Sequence, residues 1–253
     1  MATYKKKFKP ANKTEETKIE EAHSATAEVF NTLDERASRT EAWVAKNQKY
    51  IFGGIIVVVV AVLGYLGYQQ FIMGPKEKEA SNELFFAQQY FDEAVNATDK
   101  DSLYNLALKG ANGKYGLLDI IDKYSGTKAA NLARYSAGMS YLNIGKNREA
   151  IEQLEKFSSK DPILGALAQG GIADAFLGLN QKEEALGYYE KAFKHNINDF
   201  TTPRFLQKAG ELALELGQKE KAIGFFNRIK DEFKNSEEGR KVDFYLGMAE
   251  SMQ

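Results

Sequence analysis

From Ile51 to Met73 the sequence IFGGIIVVVVAVLGYLGYQQFIM carries no charge, and Ile51 to Tyr68 is unbroken by strongly polar side chains. At about 1.5 Å per helical residue this stretch reaches roughly 35 Å, enough to cross a hydrocarbon core of about 30 Å. In lipid such a segment must be a helix, because only a helix satisfies its own backbone groups there. Aromatic residues flank it as interfacial anchors would: Trp43, Tyr50 and Phe52 on one side, Tyr65, Tyr68 and Phe71 on the other. A buried core helix is the competing reading, and core helices rarely run this long without a charge. The pattern therefore predicts three regions: an N-terminal segment (1–50), a transmembrane helix (51–73) and a larger domain (74–253).

The N-terminal region is thinner in apolar residues. Residues 1–13 are basic and polar, with Pro10, and are expected to be disordered. Between Ala11 and Phe52 there is neither Gly nor Pro. Thr17 and Glu20 have capping-box spacing, and Ile19, Ala22, Val29, Leu33 and Val44 form a gapped stripe at helical spacing. A helix leading into the membrane segment is expected, with Phe30, Leu33 and Trp43 as candidate docking residues. Beyond the apolar stretch, Pro75 marks an exit or a kink. Lys76 to Val95 resumes a helical pattern, and residues 96–113 read as a loop holding one short element.

From there the pattern repeats. Gly138, Ala173, Gly210 and Gly247 recur at intervals of 35, 37 and 37 residues. Twelve residues after the first three come Ala150, Ala185 and Ala222, then Leu154, Tyr189 and Phe226, then Phe157, Ala192 and Ile229. Gly145, Asn180 and Gly217 occupy the intervening turns. Each small residue lets the second helix of a pair approach the first closely, and the large residues fill the space towards the next pair. One pair could not cover its own apolar face, so the pairs must stack. Gly116 to Tyr124 has the second-helix pattern one period earlier, and Glu237 to Met252 has the first-helix pattern with no partner, as a capping helix would.

These residues resemble the tetratricopeptide repeat, whose first helix carries Gly then Tyr and whose second carries Ala, an aromatic, Ala and a closing Pro. The copy Ala137-Gly138, Tyr141, Gly145, Ala150, Leu154, Phe157 and Pro162 follows that order, with Arg134 in place of the usual Trp. The second copy lacks the Pro, and the third has Ala213 where the Tyr belongs. The resemblance covers 114–253 well and 76–113 poorly. The expected fold class is all-α: one transmembrane helix, then an α-solenoid ending in a capping helix.

Charge then orients the anchor. Arg36, Arg39, Lys46 and Lys49 precede the apolar stretch closely, and only Lys76 and Lys78 follow it closely. Basic flanks stay in the cytoplasm, which places the N-terminus inside and 74–253 outside. A cleaved signal peptide is disfavoured, because the stretch starts fifty residues in and QQFIMGPKEK offers no small-residue cleavage site. The net charge of −1 gives no basic excess for nucleic acid. Cysteine is absent, and with it any disulfide or thiolate chemistry.

Little else suggests catalysis or a cofactor. The two histidines, His23 and His195, lie on opposite sides of the expected membrane, and His195 reads as a helix C-cap. No nucleophile elbow, P-loop, zincin or EF-hand pattern is present. Glu183-Glu184 and Glu237-Glu238 read as helix-start carboxylates. An enzyme is not expected.

A repeat array offers a groove instead. By the family's register its lining would be Leu132, Tyr135, Met139, Leu142 and Asn143, then Leu167, Asp174 and Leu177, then Arg204, Gln207, Glu211 and Leu214. Tyr135 and Met139 stand where one class of such proteins carries a Lys and Asn carboxylate clamp, so that clamp is absent. Tyr135, Met139 and Leu142 would suit an apolar segment of a partner; alternatively they pack against the helix of 76–95. On the membrane helix Gly54, Val57, Ala61, Gly64 and Tyr68 share one face, a candidate interface with another helix.

An N-terminal segment, one signal anchor and an exported repeat array together resemble the YfgM-type family of ancillary Sec translocon subunits, down to the approach WVAKNQKYIFGG. The N-terminal segment is longer and more charged than that family's short one. The resemblance implies a non-enzymatic, cofactor-free scaffold in the bacterial inner membrane. Its membrane helix would bind SecYEG, and its periplasmic domain would pair with a PpiD-like chaperone and assist exported polypeptides. A repeat scaffold of another envelope assembly or secretion complex is the alternative.

Overall fold

The computed structural model describes residues 13–251, with side chains described at Val29 and from Thr40 onward. The expectations for residues 1–12, for the Thr17 and Glu20 side chains and for docking through Phe30 and Leu33 lie outside the described residues. The chain divides into two compact units, up to Tyr68 and from Gln69. Among the described residues both are helical, without a strand.

The first unit is the helix α1, Lys13–Tyr68. Its apolar residues are exposed, among them Phe52, Val57, Val58, Leu63 and Tyr65. None of its most apolar window is buried, which a core helix would not show, and it is the one helix among the described residues long and apolar enough to cross a membrane.

The second unit opens on a five-residue π-helical stretch, Gln69–Met73, followed by α2, Gly74–Asn96, with Pro75 in its first turn. Proline has no N–H, and its ring would strike the carbonyl of Phe71 four residues before it. One widened turn accommodates both effects. The regular helix expected through Met73 is therefore interrupted at Gln69, ahead of the proline itself.

α3, Lys100–Lys109, folds back on α2 and buries Tyr104, Ala107 and Leu108. Residues 96–113 thus hold one element, a ten-residue helix that packs into the array, with loops on either side. The one-period-earlier second helix is the short α4, Leu117–Lys123. Glu77 at the head of α2 accepts the Lys128 and Ala129 amides at 2.6 and 2.9 Å, which caps the next helix. The Tyr124 hydroxyl donates to Glu79 at 2.8 Å. These bonds dock α2, α4 and the helix that begins at Lys128 together although the repeat pattern there is weak.

Three regular pairs follow: α5 (Lys128–Asn143) with α6 (Asn147–Lys156), α7 (Pro162–Gly178) with α8 (Lys182–His195), and α9 (Thr201–Glu215) with α10 (Lys219–Glu232). The turns within them are alike. Gly145, Asn180 and Gly217 sit at φ of 73°, 59° and 70°. The amide of each next residue, Lys146, Gln181 or Gln218, bonds five residues back at 2.8–2.9 Å. This is the left-handed C-terminal motif for which Gly, and next Asn, carries little steric cost. Between pairs, Pro162 opens α7 more than it closes α6, and the Asp161 carboxylate accepts the Ile163 and Leu164 amides at 2.8 Å each.

Close approach within each pair follows from the small residues. A Cβ on Gly138 would lie 2.5 Å from Leu154 Cγ, and one on Gly210 would strike the Phe226 ring. Leu154, Tyr189 and Phe226 are all but completely buried. Each such side chain contributes about 1.5–3 kcal/mol through burial alone. α11, Val242–Ser251, packs on α10 and buries Val242, Leu246 and Ala249. It begins at Val242 and not at Glu237, because 233–241 folds into a compact turn. There Gly239 lies so close to the Phe233 carbonyl that no side chain fits, and its amide bonds Ser236 at 2.9 Å. Glu237 and Glu238 accordingly sit in that turn, whereas Glu183 and Glu184 do occupy the first turn of α8.

Candidate partner-binding face

The first helices of the pairs, α5, α7 and α9, bring the groove residues into one succession. On α5, Tyr135 and Met139 are half-buried. The Tyr135 ring packs on Phe157 at a centroid distance of 5.3 Å, and Met139 Sδ lies against Gly171 of α7. Both therefore pack towards α6 and α7, not against α2; the α5 residues meeting α2 include Ser136, whose hydroxyl donates to Gln88 at 3.0 Å. Leu142 is half-buried beside Gly171, Leu132 is exposed, and Asn143 is exposed with its amide donating to the Met139 carbonyl at 2.8 Å.

On α7, Asp174 is the hub of a polar cluster. Lys208 Nζ reaches its two carboxylate oxygens at 2.7 and 2.9 Å, and the Tyr189 hydroxyl donates to it. Burial first, then the Asp174 charge, pushes the Tyr189 phenol far above its usual range, so it remains a donor at neutral pH. Leu167 and Leu177 are half-buried against the C-terminal core cluster. On α9, Gln207 donates to Glu211 at 2.8 Å and to the Tyr245 hydroxyl of α11 at 2.9 Å. Leu214, by contrast, is buried inside that cluster and offers nothing to a ligand.

Arg204 differs from its neighbours. It is exposed, and its charge lowers the phenol pKa of both Tyr135 and Tyr189, although burial raises both overall. It also lines a cleft of about 370 Å³ with Phe200, Gln207, Ser236, Glu238 and Lys241. Sequence reasoning did not find this cleft, because its far wall is the 233–241 turn, which carries no periodic signal. Lys241 there is already paired with Glu237 at 2.6 Å.

The Asp174 cluster ties α7 to α8 and α9. Asp174→Ala leaves Lys208 and the Tyr189 hydroxyl without their shared acceptor. A destabilisation of about 1–3 kcal/mol is expected, towards the lower end because Asp174 and Lys208 are each about one-third exposed. Lys208→Ala added to that variant should cost little more, and a double-mutant cycle by chemical denaturation checks the coupling.

Other candidates fall elsewhere. His195 ends α8 with its ring against Gly165 of α7, a packing position. Among the described residues no three His, Asp or Glu side chains converge as metal ligands would. In the first unit, Val57, Ala61 and Tyr68 are exposed, and a Cβ on Gly54 or Gly64 would meet nothing within 4 Å.

Comparison with known proteins bears on this arrangement. The model of the tetratricopeptide repeat-like domain family matches residues 41–246, so the matched region takes in the apolar stretch of α1 as well as the helix pairs. No curated protein sequence matches the chain. A solved structure from Podosopora anserina, described as a kinesin light chain with nearly identical TPR-like repeats, is similar at 14% identity with a TM-score of 0.50. The similarity covers 68% of this chain and 85% of that one, and at this identity it speaks to the fold alone.

Proposed function

Because the chain belongs to the tetratricopeptide repeat-like domain family, we propose that it is a membrane-anchored scaffold that joins protein partners and carries out no chemistry of its own. The observation that carries this reading is the family match itself. It extends from Glu41 through the exposed apolar helix to α11, so anchor and repeats belong to one pattern. The partner-facing residues are Tyr135, Met139, Leu142 and Asn143, then Asp174 and Leu177, then Arg204, Gln207 and Glu211.

The finer proposal places the protein in the bacterial inner membrane with its N-terminus cytoplasmic and its repeats periplasmic, as an accessory subunit of the Sec translocon. The face of Gly54, Val57, Ala61, Gly64 and Tyr68 meets SecYEG, and the repeat face meets a PpiD-like chaperone that receives exported polypeptides. The basic residues before the apolar stretch support the orientation. The open backbone at Gly54 and Gly64 supports close approach of another membrane helix.

Photocrosslinking from Gly64 and from Tyr135, with co-purification in mild detergent, tests this reading. The expected products join Gly64 to a SecYEG helix and Tyr135 to the chaperone. Recovery of a different envelope complex without SecY would overturn the translocon reading and leave the scaffold. Cleavage of the N-terminus by protease added from outside would overturn the orientation.

A further inference from the structure

The second unit begins at Gln69, inside the uncharged stretch, so one of its edges lies where the chain leaves that stretch. Phe71 and Ile72 are exposed there. Met73 rests against the connection 124–127, since a Cβ on Gly126 would lie 3.8 Å from its Cε. Lys76 Nζ donates to the Ser125 carbonyl of the same connection at 2.8 Å. This connection leads into α5, as 157–161, 196–200 and 233–241 lead into α7, α9 and α11. The helices of each pair run antiparallel about short turns. Gly145, Asn180 and Gly217 therefore mark one edge of the array, and the connections between pairs mark the other.

Contacts tie this second edge together, starting from Met73. Asn131 in the first turn of α5 bonds the Ser158 carbonyl and amide at 2.6 and 3.1 Å. The His195 ring lies against Gly165 in the first turn of α7, and Asp199 and Phe200 share a cleft with Ser236 and Lys241. The two edges differ in their apolar residues. On the turn edge Ile144, Leu179 and Leu216 are half-buried. On the other, Ile197 is 64% exposed and Phe200 57%.

The connection that carries Ile197 and Phe200 is held by its own polar groups. Asn198 Oδ1 accepts the Phe200 and Thr201 amides at 2.9 and 2.8 Å, and its Nδ2 donates to the Asn196 carbonyl at 2.9 Å. The Asn198 amide donates to Thr202 Oγ1 at 3.0 Å. The loop thus pairs these groups internally while two apolar side chains stand outward. Both features suit entry into a membrane interface, where an unpaired backbone group is costly and apolar side chains gain from burial.

We infer that this edge of the array lies on the bilayer surface, with Ile197 and Phe200 seated among the headgroups, which presupposes the membrane anchoring of the proposed function. Asp199, between them, stays hydrated and limits the depth of entry. A bilayer is the occupant because the same edge begins where the apolar stretch ends. Two side chains would hold a free protein only weakly, but an anchored chain makes the contact intramolecular and so raises its effective concentration. The contact restricts the array to one attitude over the membrane.

The chain has no cysteine, so Ile197→Cys and Glu183→Cys each take a single environment-sensitive fluorophore. The two positions flank α8, roughly 20 Å apart along its axis. Both are exposed, so neither substitution removes a core contact. Each labelled full chain is reconstituted into vesicles of phosphatidylcholine and phosphatidylglycerol, with and without nitroxide-bearing lipid. Quenching at position 197 is expected to exceed that at 183 by about twofold or more, and Phe200→Ser should lower it towards the 183 level. Equal quenching at the two positions, in chains that resist alkaline extraction, overturns the inference and leaves the anchor. Extraction of the chain overturns the anchor and the inference with it. A blue-shifted label at 197 that nitroxide lipid does not quench also overturns it, and assigns the loop to a second copy of the chain.

Discussion

Replacing Phe226 by Ala is expected to destabilise the C-terminal part of the array by about 3–5 kcal/mol, the range for removing a fully buried aromatic side chain. Phe226 fills the space left by Gly210, stacks on Tyr245 at 5.4 Å and is completely buried between α9, α10 and α11. Repeat arrays depend on nearest neighbours, so the loss should be local. Hydrogen exchange should show α9 to α11 opening while α2 to α6 keep their protection. Uniform loss across all pairs would mean that the array unfolds as one unit. Gly210→Ala should partly relieve the Phe226→Ala cavity although it is destabilising alone, since its methyl group occupies space the ring has vacated.

The second large effect lies in the first unit. Val58→Arg together with Val59→Arg places two charges at the middle of the apolar stretch, at about 2.5–3.5 kcal/mol each on the insertion scale. The Ile, Val, Leu and Phe residues from Ile51 to Leu66 favour insertion by roughly 3–7 kcal/mol in total at 0.3–0.6 each. Two arginines therefore offset most or all of that preference. The doubly substituted chain should become extractable from membranes at alkaline pH, whereas the original chain stays with the bilayer. If both resist extraction equally, membrane association comes from somewhere other than α1.

Both predictions concern features that were legible before any coordinates. The spacing of Gly138, Ala150 and Leu154, repeated at Gly210, Ala222 and Phe226, identifies a helix, a turn and a second helix in close contact. Gly145, Asn180 and Gly217 identify the turns for an equally local reason, because few side chains tolerate positive φ. The layer from α2 to α4 was less legible. Its docking rests on Glu77 and Glu79, whose partners lie some 45–52 residues away and leave no periodic trace. The helix of 100–109 is legible as one short element from its turn-forming neighbours, but its burial against α2 is not.

The candidate face was legible as a set of positions but not as a set of interactions. Register alone places Tyr135, Asp174, Gln207 and Glu211 on first helices. It does not reveal that Asp174 holds Lys208 and Tyr189, that Gln207 reaches Tyr245, or that Arg204 opens on a cleft formed by a distant turn.

The helical class, the long apolar helix, the repeat period and the turn positions could all be read from the sequence, because each follows from local sterics or from periodicity along one helix. Which polar groups are already satisfied, and the widening of the helix at Gln69 ahead of Pro75, came only from the tertiary structure. Those outcomes depend on which side chains meet across helices, and neither composition nor spacing within one helix records such encounters.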